Sequence, residues 1–192
     1  MKKSIRGIRC LLALAAVFVF SGCASTMMTQ THTITAPPEG TALVTFFRPT
    51  MFGGAIQFGL WDSDKFIGIL SAKSYVQYAA QPGEHIFMAR AENWSYVKAN
   101  LEAGKEYYII GRVIMGVWKA RVALSPIKKA DFEKPGEKEK VAKWLQEMKP
   151  TTPLTEKVEA YVTPRRDQVR QSLDEYKAGK ATYMVLDAAD GR

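Results

Sequence analysis

Between residues 41 and 127, short apolar segments separated by turn residues recur at a spacing of about ten residues, and this pattern constrains the fold most strongly. The segments are rich in β-branched and aromatic residues, which favour strands. Strands are predicted at residues 42–48, 56–61, 65–70, 75–79, 84–91, 96–101, 106–115 and 117–124. We therefore expect a mainly β fold, an antiparallel β-sandwich that occupies residues 41–127.

Two of these segments also indicate their surroundings. Residues 107–114 are apolar on both faces of a strand apart from Arg112, so this strand should be central or covered by other elements. In the last segment, Val122 and Leu124 alternate with charged residues such as Arg121, which is typical of a half-exposed strand.

Four short motifs lie on the predicted strands and turns. They are Ala42-x-Val44-x-Phe46-x-Arg48, Phe66-Ile67-Gly68-Ile69-Leu70, Pro82-Gly83-Glu84-His85 and Ala103-Gly104-x-x-Tyr107-Tyr108. Together they resemble a family of small bacterial lipoproteins, the domain-of-unknown-function 2846 type, whose domain is similar to the PEGA-type and carboxypeptidase-regulatory-like β-sandwiches. The resemblance covers residues 41–127 and implies a sandwich fold, but it brings no catalytic residues with it.

The pattern changes after Ile127, where the chain becomes highly charged. Residues 128–192 hold 14 Lys+Arg and 12 Asp+Glu, and apolar residues there recur at helical spacing. Amphipathic helices are predicted at 137–148, 156–162 and 163–177, the last with Thr163 as N-cap and Pro164 at its first position. We expect this extension to pack on the sandwich; the alternative is that one apolar stripe docks a second protein or the membrane. Residues 181–186 are either a final strand or a docking tail.

The first 22 residues read as a secretory signal peptide. Basic residues precede an apolar run of eleven residues, from Cys10 to Phe20. A spanning helix needs about 20 apolar residues, so this run is too short to be a permanent anchor.

The end of the apolar run, Phe20-Ser21-Gly22-Cys23, resembles the bacterial lipobox, in which the cysteine is lipidated and becomes the mature N-terminus. Lipidation is therefore predicted at Cys23, with ordinary cleavage after Ala24 as the alternative. Ala24 and Ser25 resemble the residues that send lipoproteins to the outer membrane, facing the periplasm. Residues 23–40, rich in threonine and proline, are interpreted as a flexible tether.

Charge and composition exclude several function classes. The 27 basic residues include four in the expected signal, which leaves 23 against 19 acidic residues and a net charge of +4. This mild excess does not indicate nucleic-acid binding. The chain has only two histidines, His32 and His85, so a histidine-based metal cluster or relay is not expected. We predict no metal, no cofactor and no catalytic residues, and we interpret Asp62 and Asp64 as hairpin-turn residues rather than calcium ligands.

Exposed aromatic residues are the remaining candidates for binding. On the predicted strand 96–101, Tyr96 and the preceding Trp94 share a face with Lys98, opposite the apolar residues. This makes Trp94, Tyr96 and Lys98 the predicted ligand or partner contact. The sequence thus favours a non-catalytic binding or envelope-interaction lipoprotein, held to the membrane by its lipid and contacting an envelope protein. The alternatives are a glycan or peptidoglycan binder and a hydrolase using His85.

Overall fold

A computed structural model describes residues 27–115 and 120–192. The predicted signal peptide (residues 1–22), the lipidation site Cys23 and the first residues of the predicted strand 117–124 lie outside the described residues. Of the helices within these two ranges, none has the length and apolar character that crossing a membrane requires.

The fold is mainly β. Its strands are β1 (Met28–Gln30), β2 (Ala42–Arg48), β3 (Phe58–Asp62), β4 (Lys65–Leu70), β5 (Ser74–Ala80), β6 (Gly83–Arg90), β7 (Trp94–Leu101), β8 (Glu106–Met115), β9 (Ala120–Pro126), β10 (Lys149–Pro153) and β11 (Tyr183–Leu186). Its helices are α1 (Lys129–Phe132), α2 (Glu137–Glu147), α3 (Thr155–Val162) and α4 (Arg166–Lys177), and short 3-10 turns lie at Thr163–Arg165 and Ala188–Asp190. The predicted strands and the three predicted helices are thus present in the described residues; β2, β4 and β8 have the predicted bounds, and the ends of the others are shifted.

The described strands form two mixed sheets, ordered β1-β10-β5-β2-β8-β9 and β11-β7-β6-β3-β4. Three pairs among them are parallel: β2 with β8, β10 with β5, and β11 with β7. The prediction of purely antiparallel sheets is therefore wrong at these pairs. Two of the three involve strands from beyond Ile127, where the sequence had indicated a helical extension.

Side chains from the two sheets meet in one apolar cluster, which contains Val44 and Phe46 from the first sheet and Phe87 from the second. The rings of Phe46 and Phe87 lie 5.3 Å apart in an edge-to-face arrangement. Gly111 on β8 shows how closely the sheets approach, because a Cβ atom at this position would lie 2.6 Å from Phe58 Cε2. Packing of this density leaves no room for an added methyl group.

Residues 128–192 do not form an added domain. They supply β10 to the first sheet and β11 to the second, and their helices cover the outer face of each sheet. Helix α2 packs Val141 on Phe47 and Tyr75, while α4 packs Val169 on Trp61. The expectation that the apolar stripes pack on the β body is confirmed, and residues 181–186, left open by the sequence, are a strand.

The interpretation of residues 23–40 as a tether is wrong for their described part. Met28–Gln30 pairs with β10, and the Met27 carbonyl accepts a hydrogen bond from the Leu154 amide at 2.9 Å. The side chain of Met27 is only 4% exposed. Further along, the Ile34 amide donates to Gln77 Oε1 at 2.7 Å. The folded body therefore includes residues from Met27 onward, not only those from residue 41.

Candidate ligand cleft

A cleft of about 640 Å³ opens at one end of the two sheets. The loop 49–57 between β2 and β3, the turn 91–93 between β6 and β7, and the end of α3 meet there. The polar and aromatic residues that line it are Gln57, Trp61, Arg90, Glu92, Tyr161 and Arg165. We call this the loop-end cleft.

Loop 49–57 is held in place by Arg48, whose side chain is fully buried. Its guanidinium group donates hydrogen bonds to the backbone carbonyl oxygens of Ile56 and Gly53, the latter at 2.6 Å. The guanidinium carbon also lies 4.9 Å from the centre of the Phe58 ring. Burial lowers the pKa of this group. Arg48 thus fixes the wall of the cleft that carries Gln57.

Two half-buried arginines line the cleft, and each is stacked on an aromatic ring. The Arg90 guanidinium lies 5.2 Å from the ring centre of Trp94, and that of Arg165 lies 3.9 Å from Tyr161. Burial raises the pKa of Tyr161, while the positive charges of Arg165 and Arg90 oppose this rise, so both act on the same phenol. In the part of the chain that the structure describes, neither arginine forms an ion pair.

The floor and one wall of the cleft add an aromatic surface and a hydrogen-bond acceptor. Trp61, 1% exposed, packs edge-to-face on Phe66 at 5.0 Å between ring centres. The side-chain oxygen Oε1 of Gln57 is buried, and no donor among residues 27–115 and 120–192 reaches it. Burying an acceptor without a donor is costly, so such atoms often mark a position where a ligand or water binds.

The predicted contact residues do not form an exposed platform. Tyr96 is only 6% exposed, because α4 covers it and its hydroxyl lies 2.5 Å from Ser172 Oγ. Trp94 is half-buried beneath Arg90, and exposed Lys98 lies 3.6 Å from Glu84 Oε1. The prediction that Trp94 and Tyr96 are the exposed pair is wrong for Tyr96, since α4 was not expected on this face. Trp94 is not among the residues that line the cleft, but it contacts Arg90, which does line it.

His85 lies on the opposite end of the sheets and has hydrogen-bond acceptors at both ring nitrogens. Nδ1 lies 2.7 Å from Asp62 Oδ2, and Nε2 lies 2.7 Å from the Gln81 carbonyl oxygen. Asp62 Oδ2 also accepts a hydrogen bond from the Tyr78 hydroxyl at 3.0 Å. Two acceptors favour the doubly protonated imidazolium, and the hydrogen bond to Asp62 raises the pKa of His85.

This raised pKa predicts a pH-dependent stability. The folded-state pKa of His85 exceeds the unfolded value of about 6.5. The stabilisation from its protonation is therefore full below that value and is lost as pH rises through the folded-state pKa. Asp62 is the main cause of the raised pKa of His85, while burial and, to a smaller extent, the charge of Lys65 oppose it. We expect His85→Gln to lower the free energy of unfolding more at about pH 5.5 than at about pH 9.

Urea unfolding at both pH values measures this difference directly. The Asp62→Asn variant is the control, because it keeps the histidine but removes the charge that favours the imidazolium. In that background the His85 substitution should cost nearly the same at both pH values. Equal costs in the unmodified background would contradict the proposed ion pair.

No protein-family model matches the chain, and a search of curated proteins found no match. The resemblance to small bacterial lipoproteins therefore rests on the four motifs in residues 41–127 alone.

Proposed function

We propose that this chain is an exported lipoprotein, anchored through Cys23 to the outer membrane and facing the periplasm, which works as a non-catalytic binding module. The observation that carries the proposal is Ser21-Gly22-Cys23 at the end of a basic and apolar leader. Two facing sheets that share one core agree with the sandwich-type domain that the resemblance implies, modified by its three parallel strand pairs.

The closeness of Cys23 to Met27 along the chain gives this anchor a geometric consequence. Only three residues separate Cys23 from Met27, whose side chain is buried. The four Cα–Cα steps from Cys23 to Met27 span at most about 14 Å. A lipid on Cys23 would therefore hold the folded body against the headgroups rather than at the end of a long tether, and partners would have to be reached within that layer.

Two observations support a binding role over catalysis. A general base needs a free nitrogen, but both ring nitrogens of His85 already face an acceptor, which disfavours the hydrolase alternative. The loop-end cleft instead offers two fixed cations, an aromatic floor and an unused acceptor. Glycan or peptidoglycan binding stays the second candidate, with the cleft in place of the predicted Trp94 and Tyr96 platform.

The anchor is tested by the Cys23→Ser variant in intact cells. A single acyl chain binds membranes only marginally, whereas two or more hold a protein firmly, so loss of the lipidated cysteine should release the protein. We expect the variant in the periplasmic soluble fraction and the unmodified chain in the membrane fraction. Ser21→Ala, which keeps a small residue before the cysteine, is the control. Membrane fractionation of Cys23→Ser equal to that of the control would count against the anchor.

A further inference from the structure

We propose that the loop-end cleft binds a small acidic ligand whose carboxylate or phosphate group carries a hydrogen-bond donor next to it. Arg90 and Arg165 would hold the anionic group, and Gln57 Oε1 would accept from the neighbouring donor. The inference rests on the proposed role as a binding module and names the chemistry of its ligand.

Both arginines are held by an aromatic ring and keep N–H groups with which to bind an anion. Each guanidinium lies over a ring, Arg90 over Trp94 and Arg165 over Tyr161, and this contact restricts the side chain before any ligand arrives. Stacking on a ring uses the face of a guanidinium and leaves its N–H edges for hydrogen bonds. Arg165 Nη1 donates one of these to the Tyr161 carbonyl oxygen at 2.9 Å. The other edges match the fork geometry of a carboxylate or phosphate.

The positive charges of Arg90 and Arg165 favour an anion in the cleft. Both arginines line the same cleft, both act on the phenol of Tyr161, and the described part of the chain supplies neither with an ion-pair partner. An anion bound in the cleft would be attracted by both positive charges. Glu92 also lines the cleft and has an interaction of its own, so the lining carries two cations and one anion.

The buried oxygen of Gln57 bears on the neutral part of the ligand. Gln57 Oε1 is buried and accepts no hydrogen bond from residues 27–115 or 120–192, so a ligand hydroxyl or amide N–H would satisfy it. The side chains of Trp61 and Val169 form part of the same cleft lining but are almost fully buried, so they shape its floor and expose little apolar surface. An acidic sugar or a hydroxylated phosphate ester combines these features, whereas a neutral sugar lacks the anion.

Calorimetric titration tests the proposal with three probes. N-acetylmuramic acid carries a carboxylate, glycerol 3-phosphate carries a phosphate, and N-acetylglucosamine is the neutral match of the first. The protein is purified as the full chain from whichever cell fraction holds it, so the result does not depend on the lipid anchor. We expect at least one of the two acidic probes to bind at least tenfold more tightly than the neutral sugar. Whichever acidic probe binds more tightly shows whether the cleft prefers a carboxylate or a phosphate.

The variants Arg90→Gln and Arg165→Gln should each weaken that binding by about tenfold or more, as expected for loss of a charge-assisted hydrogen bond. Arg170→Gln on the exposed face of α4 is the matched control and should bind as before. If Arg165→Gln unfolds through loss of its Tyr161 contact, the Arg90→Gln variant and a salt titration of the unmodified protein still test the inference. Added salt should weaken binding of the acidic probe.

Three outcomes would overturn the inference. They are no binding of either acid at about 10 mM, equal binding of acidic and neutral sugars, and affinities of Arg90→Gln within twofold of the control. Any of these leaves the proposed anchor intact, because the anchor is tested by Cys23→Ser alone. Conversely, recovery of the Cys23→Ser variant in the soluble fraction does not test ligand binding in the cleft.

Discussion

A chain ended after Ile127 should fail to fold cooperatively, although it keeps all but two of the described strands and nearly all of the shared core. The truncation removes β10 and β11, which leaves β5 and β7 as open sheet edges. It also uncovers two buried apolar clusters, one around Phe47 and Tyr75 and one around Trp61. Each fully buried large apolar side chain contributes roughly 1.5–3 kcal/mol, so their exposure exceeds the stability of an ordinary domain.

Near-ultraviolet circular dichroism and urea unfolding measure this effect. The full chain should show a single sigmoidal transition, while the truncated chain should show a broad, weak one and bind a hydrophobic dye. A truncated chain with a sharp transition and the aromatic signal of the full chain would show that the chain up to Ile127 folds without residues 128–192, contrary to the structure.

The Arg48→Met substitution should lower the free energy of unfolding by about 3 kcal/mol. Methionine matches the length of the arginine stem, so packing against Phe58 is largely kept, but the hydrogen bonds to the Ile56 and Gly53 carbonyls are lost. Loss of the donor to the Ile56 carbonyl costs about 1–3 kcal/mol, and the Gly53 carbonyl loses a charge-assisted bond but keeps the one from the Ile56 amide. Loop 49–57 should become mobile as a result, and amide hydrogen exchange across it should speed up.

The Arg112→Met substitution is the matched control. Arg112 lies on β8 with its side chain exposed, and surface substitutions of this kind usually change stability by less than about 0.5 kcal/mol. The control should therefore unfold at nearly the urea concentration of the unmodified chain. Equal destabilisation by the two substitutions would mean that Arg48 does not hold the loop.

The local pattern of the sequence predicted individual strands well. The bounds of β2, β4 and β8 are those predicted, because alternation and turn residues mark both ends of each. The parallel pairing of β2 with β8 was not predictable, since it depends on contacts between segments about sixty residues apart. Spacing along the chain reveals strands, but it does not reveal which strands become neighbours.

Strand β10 was missed for a different reason. Pro150 and Pro153 follow the predicted helix 137–148, and proline is rare inside sheets because it has no N–H group to donate. In the structure, β10 forms short pairings with β5 and with the three-residue strand β1. Few of its backbone N–H groups therefore have to donate a hydrogen bond to a neighbouring strand. The same short β1 went unnoticed because the threonine-rich segment around it carries no clear alternation.

The candidate site was less predictable than the fold. Alternation placed Trp94, Tyr96 and Lys98 on one face of β7, but only the position of α4 decides that Tyr96 is covered. Arg90 and Arg165 lie far apart in the sequence, and neither belongs to a motif. Their pairing arises from the turn of α3 into α4 over the end of β6, which spacing along the chain does not encode.

Mass spectrometry of the N-terminal peptide from membrane-purified protein shows whether a lipid on Cys23 holds this body at the membrane surface. We expect a peptide that begins at Cys23 and carries a diacylglyceryl group on sulfur, with an acyl chain on the amine. A peptide that begins elsewhere, such as after Ala24, or a Cys23 with unmodified sulfur would contradict it.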